Sequence, residues 1–292
     1  MKTPNLFIIG SPKCGTTSLA NWLNNHPQIF MSKRKEPEFF CDDLRITKYR
    51  INKSAYMNLL ESSDHRHICI GEASTHYLFS KVACKKILEF SKSPKFIVII
   101  RNPVDLVYSL YNQRIFDGLE HIETFEEAWS LNNERENNNF LIKDYITGNL
   151  LNYGKMGLLG DQLERFFSLV HESDRLVLTL DDIKENPKLV FERIISFLDI
   201  DKYKIDSFPI YNKSSVVRSK IYRNIFHKLI DLKGLLGIKK TIGIGNFLSQ
   251  INTIVKKPEP LSVNTTHMLK QFFKNDIKNI ENLLNRDLSH WK

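Results

Sequence analysis

Short apolar runs alternate with amphipathic stretches along the first two thirds of the chain. The runs lie within residues 6–10, 67–74, 95–103 and 174–182, and their nearly continuous apolar character is typical of strands buried on both faces. Residues with helical spacing separate the runs. This alternation predicts an α/β fold with three layers, in which helices flank a central parallel sheet.

Several predicted helices carry boundary signals. Leu19, Trp22 and Leu23 follow the first run at positions i, i+3 and i+4, which places them on one face of a helix. Pro103 and Pro187 are suited to the first position of a helix, because proline lacks the N–H that would be unpaired there. We therefore expect a helix to begin at each proline.

The remainder of the chain is predicted to be mostly helical. Residues 117–160 are polar with helical spacing, and residues 262–291 form a terminal amphipathic pattern. The inward positions of that terminal helix would be Leu269, Phe272, Phe273, Ile277, Ile280 and Leu284. The sequence contains no internal repeat, so we expect one domain over residues 1–292.

The first apolar run leads into the sequence FIIGSPKCGTTSLANWL at residues 7–23. Gly10 and Gly15 keep the spacing of a nucleotide-binding G-x-x-x-x-G-K-[ST] loop, but Thr16 replaces its lysine and Lys13 lies inside the loop. A glycine loop between a strand and a helix directs backbone N–H groups and the positive helix end at an anion. The sequence therefore predicts a P-loop-like anion site with a relocated lysine.

A second candidate site follows the run that begins at residue 95. Arg101 ends the apolar residues, and Ser109 lies eight positions later, about two helical turns further on. A guanidinium is a planar and permanently charged group that binds phosphate, and a serine hydroxyl can complete the coordination. Together with the first loop, this pair predicts a ligand with two separated anionic groups.

Glu36, in the sequence SKRKEPEFF, is a candidate general base. Nearby cations favour its charged form, whereas burial against Phe39 and Phe40 would raise its pKa toward the range of a general base. A surface ion pair with a neighbouring lysine is the alternative. Glu72 is a second candidate carboxyl group, and His76 is more typical of a structural histidine.

These segments together resemble the sulfotransferases that use 3′-phosphoadenosine 5′-phosphosulfate (PAPS). SPKCGTT resembles their 5′-phosphosulfate loop, RNPVDLVYSLY their 3′-phosphate motif, and KEPEFF the segment with the glutamate base in heparan-type and many bacterial carbohydrate sulfotransferases. The Arg-Lys-Gly motif of the cytosolic small-molecule enzymes is absent, and EASTHYLF differs from the Thr-Pro form common in heparan-type enzymes. The resemblance implies a P-loop-like fold and PAPS as donor, with no metal required.

The resemblance also implies roles for individual residues. Lys13 would neutralise the leaving phosphate, and Glu36 would accept the proton of the acceptor hydroxyl. The donor would be bound by Ser11, Pro12, Lys13, Cys14, Gly15, Thr16, Thr17, Ser18, Arg101 and Ser109. A bacterial glycan or glycolipid is the implied acceptor; the sequence leaves open the sulfated position, O- versus N-sulfation and the oligomeric state.

Charge is concentrated in one part of the chain. Residues 213–257 contain ten Lys or Arg and one acidic residue, Asp231, so this segment accounts for the net charge of +9. We expect helical or loop structure here. Such a segment is commonly a solvated face or a helix packed on its own domain, and the alternative is a contact with an anionic acceptor or a membrane surface. No arginine-rich motif with interleaved aromatic residues is present, so nucleic acid is not expected as a partner.

Composition bounds the remaining alternatives. The apolar runs are too short to span a bilayer and the start of the chain lacks a secretory signal, so we expect a soluble cytoplasmic protein. The four cysteines have neither zinc-site spacing nor a disulfide pattern. Two other functions stay open: a P-loop kinase or nucleotidase, and a non-catalytic protein that binds anions.

Overall fold

The computed structural model describes residues 3–46, 50–137, 141–143, 146–211, 216–217, 253–254 and 259–292. The strands in these ranges are β1 (Leu6–Gly10), β2 (Ile29–Met31), β3 (Cys69–Ala73), β4 (Lys95–Ile100), β5 (Leu141–Lys143), β6 (Ile146–Thr147), β7 (Arg175–Thr179), β8 (Val216–Val217) and β9 (Thr253–Ile254). The α-helices are α1 (Thr16–Leu23), α2 (Lys53–Asn58), α3 (Ala83–Phe90), α4 (Pro103–Phe116), α5 (Phe125–Ser130), α6 (Asn132–Asn137), α7 (Tyr153–Gly157), α8 (Leu159–Leu169), α9 (Leu180–Glu185), α10 (Pro187–Phe197) and α11 (Val263–Leu284).

The central sheet confirms the predicted α/β fold. Its five strands are parallel and lie in the order β2-β3-β1-β4-β7. Every residue of β1, β2 and β3 is buried, which explains their continuous apolar runs. Because all five strands run the same way, the loops after β1, β2, β3 and β4 meet at one edge of the sheet, where ligands bind in such folds.

Both predicted proline starts are confirmed, and side-chain caps explain their positions. Pro103 is the first residue of α4, and the side chain of Asn102 accepts a hydrogen bond from the N–H of Val104. Pro187 likewise begins α10, which the side chain of Asn186 caps. In both cases the cap satisfies an N–H that the helix itself cannot pair.

Two strand predictions needed correction. β2 was missed because an apolar run of three residues is too short to distinguish from a loop. The run at 174–182 was predicted as one strand, but β7 ends at Thr179 and α9 follows. Thr179 and Asp182 form a reciprocal capping box, which starts a helix inside an apolar run.

The terminal helix is shorter than predicted. α11 ends at Leu284, and a short 3₁₀ turn follows at Ser289–Trp291. Leu269, Phe273, Ile277 and Ile280 are buried as expected, whereas Phe272 is 49% exposed. Neighbouring residues on a helix point about 100° apart, so Phe272 and Phe273 cannot both face the core.

The basic segment 213–257 lies outside the described residues except for β8 and β9, which pair antiparallel. Its predicted helical and loop character therefore stays a prediction. Within the described ranges, none of the helices combines the length and apolar character required to cross a membrane. Residues 117–160 contain the short helices α5, α6 and α7 and the antiparallel pair β5 and β6.

Candidate active site at the carboxyl edge of the sheet

The loop between β1 and α1 depends on its two glycines. Gly10 has φ of +148°, and a Cβ there would lie 2.9 Å from both the Leu78 Cβ and the Thr75 carbonyl oxygen. Gly15 has φ of +83° and is the N-cap of α1. Because glycine has no side chain, this N-cap residue does not cover the N–H groups at the start of α1, and the absence of a capping group there suits the binding of an anion.

The inner side of the loop is fixed to the sheet. Ser11 donates its N–H to the carbonyl of Ile99 at 2.6 Å, and its hydroxyl lies 3.0 Å from the Cys14 thiol. Burial raises the pKa of that thiol to about 11, so Cys14 is a neutral packing group. Pro12 is buried beside them. If these residues bind the predicted phosphate-bearing ligand, their contacts would therefore come mainly from the backbone.

Lys13 lies on the outer side of the loop. Its ammonium donates to the Gln113 side-chain oxygen on α4 at 2.8 Å, and Gln113 in turn donates to Asp117 at 2.8 Å. Burial lowers the pKa of Lys13, and the cations Arg101, Lys35 and Arg114 lower it further, whereas Asp117 opposes the shift. Four cations thus share one region, which makes it attractive to an anion.

Lys35 is a site residue that the sequence interpretation missed. Its ammonium donates to the hydroxyls of Thr16 and Thr17, at 2.9 Å and 2.6 Å, and lies 3.4 Å from a Glu36 carboxylate oxygen. The loop after β2 therefore adds a second lysine, after Lys13, and places it against the start of α1. Ser18, the last predicted donor residue of the loop, is buried, and its hydroxyl accepts the N–H of Tyr211 at 3.0 Å.

Arg101 connects the second predicted motif to the loop. Its guanidinium donates to the Lys13 carbonyl oxygen at 3.2 Å and pairs with Asp105 at 3.1 Å. Among the described residues its buried Nε has no hydrogen-bond partner. Ser109 is half-buried on α4, whereas Arg101 lies in the short connection between β4 and that helix.

Glu36 lies at the same edge, in the loop after β2. One of its carboxylate oxygens accepts both the N–H and the hydroxyl of Thr75, at 2.7 Å and 3.1 Å. Burial raises its pKa, the charge of Glu38 raises it further, and the charge of Lys35 and the hydrogen bond from the Thr75 N–H act against the shift. The side chain is 36% exposed, so this carboxylate can reach both solvent and a bound hydroxyl compound.

His76 is held from both sides and is not free to act as a base. Its Nδ1 lies 2.7 Å from a Glu38 carboxylate oxygen, and its Nε2 lies 3.2 Å from Nη2 of Arg114. Arginine only donates, so Nε2 must accept and Nδ1 must carry the proton that Glu38 accepts. His76 is therefore a neutral imidazole in one tautomer, in agreement with the structural role predicted for it.

Glu36, Glu38 and His76 also bring their ligand atoms within 4.8 Å of one another, close enough to hold a metal ion. Nδ1 of His76, the imidazole nitrogen that faces Glu38, already donates its proton to that carboxylate, and Lys35 lies against Glu36. Both carboxylates thus already have protein partners. The donor set fits a divalent ion poorly, because binding one would break these contacts.

Glu72 lies beneath the site, in the core. Its carboxyl group is 1% exposed and accepts the hydroxyls of Tyr56, Tyr77 and Ser74. Burial raises its pKa to about 8. A buried carboxyl group surrounded by aromatic residues cannot reach an acceptor without rearrangement, so its position favours Glu36 as the base.

Glu72 makes the stability of the protein depend on pH. The native state keeps a proton on Glu72 up to about pH 8, whereas the unfolded chain releases it in the ordinary range of a glutamate. Between those limits the native state binds the extra proton, so stability should fall by about 1.4 kcal/mol per pH unit as pH rises. Glu72→Gln has no such proton. In urea unfolding at several pH values, its unfolding free energy should rise relative to wild type across this window, and parallel curves would contradict the assignment.

The fold and the site together define a class of protein. A glycine loop joins the first strand to a helix at the carboxyl edge of a parallel sheet, and cations from neighbouring loops surround it. This is the arrangement of a P-loop-like α/β protein that binds a phosphate-bearing ligand.

The chain belongs to the sulfotransferase domain family, whose model matches residues 3–229. Carbohydrate sulfotransferase 15 of Homo sapiens is 24% identical over 68% of this chain and 44% of its own length. The membrane-associated sulfotransferase kil1 of Dictyostelium discoideum is 25% identical over 97% of this chain and 66% of its own length. The chain thus spans less than half of the human protein and about two thirds of the Dictyostelium one.

Solved structures agree with the fold. A sulfotransferase from Alicyclobacillus acidocaldarius has a TM-score of 0.72 at 22% identity, and the match covers 100% of this chain and 99% of that one.

The human bifunctional heparan sulfate N-deacetylase/N-sulfotransferase 1 is a further sequence relative, 26% identical over 68% of this chain and 22% of its own length. The family resemblance and the P-loop-like fold are therefore confirmed, while the roles of the individual site residues stay predictions.

Proposed function

We propose that the protein transfers a sulfuryl group from PAPS to a hydroxyl or amine of a glycan or glycolipid. One observation carries the proposal. The structure brings Arg101 against the loop that holds Lys13, with 3.2 Å between the guanidinium and the Lys13 carbonyl oxygen. The two predicted anion sites therefore adjoin, as a donor with two separate phosphate groups requires.

The residues present fit such a donor. The start of α1, with the hydroxyls of Thr16 and Thr17 and the ammonium of Lys35, offers several donors to a 5′-phosphate. Arg101 has a buried Nε without a partner among the described residues, and an oxyanion would satisfy it. Together with Ser109 on α4, Arg101 would hold the 3′-phosphate.

Glu36 and Lys13 have different roles in the proposed reaction. Glu36 takes the proton of the acceptor hydroxyl while the hydroxyl oxygen forms its bond to sulfur. The bond between sulfur and the bridging phosphate oxygen breaks, and that oxygen keeps the electron pair. The ammonium of Lys13 neutralises the charge that develops there. Positioning of donor and acceptor supplies much of the remaining acceleration.

The proposed reaction is tested by incubating the protein with PAPS labelled in its sulfate, a panel of desulfated glycans and an excess of EDTA. We expect label in the glycan fraction and adenosine 3′,5′-bisphosphate (PAP) as the second product. Transfer of phosphate from ATP that requires Mg²⁺ would support the kinase alternative and overturn the proposal. PAP binding without any transfer would favour the non-catalytic alternative.

Arg101→Ala is expected to weaken donor binding more than it slows chemistry. The substitution removes the charged partner proposed for the 3′-phosphate, and a charge-assisted hydrogen bond of this kind contributes roughly 1.5–3 kcal/mol, or about 10- to 150-fold in affinity. Calorimetry with PAP measures the change directly. Arg193→Ala removes an exposed arginine on α10 and serves as the control; equal PAP affinity in both variants would contradict the assignment.

The basic segment 213–257 is a further part of the proposal. The net charge of +9 on this segment would attract an anionic acceptor or an anionic membrane surface. Sedimentation with anionic and neutral lipid vesicles tests the membrane contact, which should weaken as salt is raised. A cytoplasmic location and a bacterial source stay predictions from the sequence, and fractionation of the source cells tests the first.

A further inference from the structure

Arg114 is a buried cation to which the proposed reaction assigns no role. It lies on α4, is 8% exposed and donates from Nη2 to Nε2 of His76 at 3.2 Å. Its Nε is buried and has no hydrogen-bond partner among the described residues. A buried guanidinium with an unpaired N–H is costly, so the native protein without ligand leaves a donor for which an oxyanion is the natural partner.

His76 and Glu38 hold this guanidinium in place. Arg114 fixes the imidazole tautomer, and the Nδ1 proton of His76 is accepted by Glu38 at 2.7 Å. Glu38 is itself anchored, because its N–H donates to Ser74 and its second carboxylate oxygen accepts the Cys41 thiol at 3.2 Å. The donor geometry of Arg114 is therefore established before any ligand binds, which is the condition for strong electrostatic stabilisation.

The position of Arg114 links the two residues proposed for the chemistry. Its neighbour Gln113 accepts the ammonium of Lys13 at 2.8 Å. Its contact His76 directly follows Thr75, whose N–H donates to Glu36 at 2.7 Å. Arg114 therefore directly follows the residue that contacts Lys13. Its own contact, His76, directly follows the residue that contacts Glu36.

We propose that Arg114 binds the oxygen atoms of the sulfuryl group while it passes from the phosphate at Lys13 to the hydroxyl at Glu36. The proposal rests on the proposed function. The guanidinium keeps its proton throughout and contributes only charge and hydrogen bonds. His76 and Glu38 act through Arg114, so they are positioning residues.

Kinetics with labelled PAPS and a glycan acceptor, together with PAP calorimetry, test this assignment. Arg114→Gln should lower kcat by ~10²–10³-fold, the usual cost of losing one such donor, and change the Kd of PAP by only a few-fold. Arg114→Lys keeps a charge without the planar fork and should retain intermediate activity. His76→Asn should lower kcat less than Arg114→Gln does, with PAP affinity unchanged.

A buried control and a chemical rescue separate catalysis from folding. Arg135 is 3% exposed, and its guanidinium pairs with Glu120 at 2.9 Å and donates to the Leu151 carbonyl oxygen rather than to a residue of the proposed site, so Arg135→Lys matches the burial of Arg114→Lys. Guanidinium ions at low, non-denaturing concentration should restore part of the turnover of Arg114→Ala but not that of Lys13→Ala. Rescue would support the role.

Three results would overturn the assignment. One is wild-type kcat in Arg114→Gln. Another is a parallel loss of kcat, PAP affinity and thermal stability in Arg114→Lys and Arg135→Lys, which would make Arg114 structural. A third is the absence of guanidinium rescue. If the wild-type protein neither binds PAP nor transfers label, the proposed function has failed instead, and the two failures are distinguishable.

Discussion

Replacing Lys13 with alanine is expected to lower turnover by ~10²–10³-fold while PAP binding changes by only a few-fold. The ammonium lies in the loop after β1 and is held by Gln113 at 2.8 Å. Its proposed role is to neutralise an oxygen that becomes charged only as the sulfate ester breaks, and PAP lacks that ester. An interaction made mainly in the transition state affects kcat and spares product affinity.

The pH dependence of turnover gives an independent check on Lys13. The residue works as an ammonium, and burial beside other cations lowers its pKa, so activity should be lost as pH rises through a value below that of a free lysine. In Lys13→Arg the guanidinium does not lose its proton, so any activity that remains should persist to higher pH. Lys188→Ala, at an exposed position on α10, is the control for loss of one positive charge. An unchanged kcat in Lys13→Ala would remove this residue from the mechanism.

Glu36→Gln is the second substitution with a large expected effect. The amide cannot accept a proton, so kcat should fall by about 10²–10⁴-fold, the range for loss of a general base. Gln can still accept the N–H of Thr75, which holds the Glu36 carboxylate at 2.7 Å, so the loop should keep its conformation. PAP affinity should therefore stay close to that of the wild-type protein.

The control for Glu36 is Glu72→Gln, because the sequence leaves the choice between the two carboxyl groups open. Glu72 is buried among tyrosine hydroxyls, and its substitution should alter the pH dependence of stability with little effect on kcat. Burial and the charge of Glu38 raise the pKa of Glu36, so wild-type activity should fall with acidification at a higher pH than for a free glutamate. If Glu72→Gln is the inactive variant instead, the base has been assigned to the wrong residue.

The pattern of the sequence was sufficient wherever the structure depends on local signals. Continuous apolar runs predicted β1, β3 and β4, and prolines after polar caps predicted the starts of α4 and α10. Glycine spacing predicted the loop of Gly10 and Gly15, because backbone positions with positive φ or too little space for a Cβ favour glycine. β2 gave no such signal, since three residues carry too little periodicity.

Long-range contacts account for what the sequence did not reveal. The sequence offered Lys35 only as one of two neighbouring lysines, with Lys33, that could pair with Glu36. Its ammonium also reaches Thr16 and Thr17, which lie 19 and 18 positions earlier in the chain. Arg114 meets His76, 38 positions earlier, in the same way. No spacing rule connects such residues, because they converge only where parallel strands end at one edge.

By itself, then, the sequence determined the α/β class and the glycine loop with its relocated Lys13. Both rest on signals from residues close together in the chain, whose backbone preferences act locally. The contact between Arg101 and that loop joins residues 88 positions apart, so the tertiary structure decided it. The tertiary structure alone decided which carboxyl group is accessible and which is buried, which tautomer His76 adopts, and that Arg114 lies between the contacts of Lys13 and Glu36. Burial, pKa and hydrogen-bond direction depend on which distant segments meet, and only the packed sheet and its loops establish that.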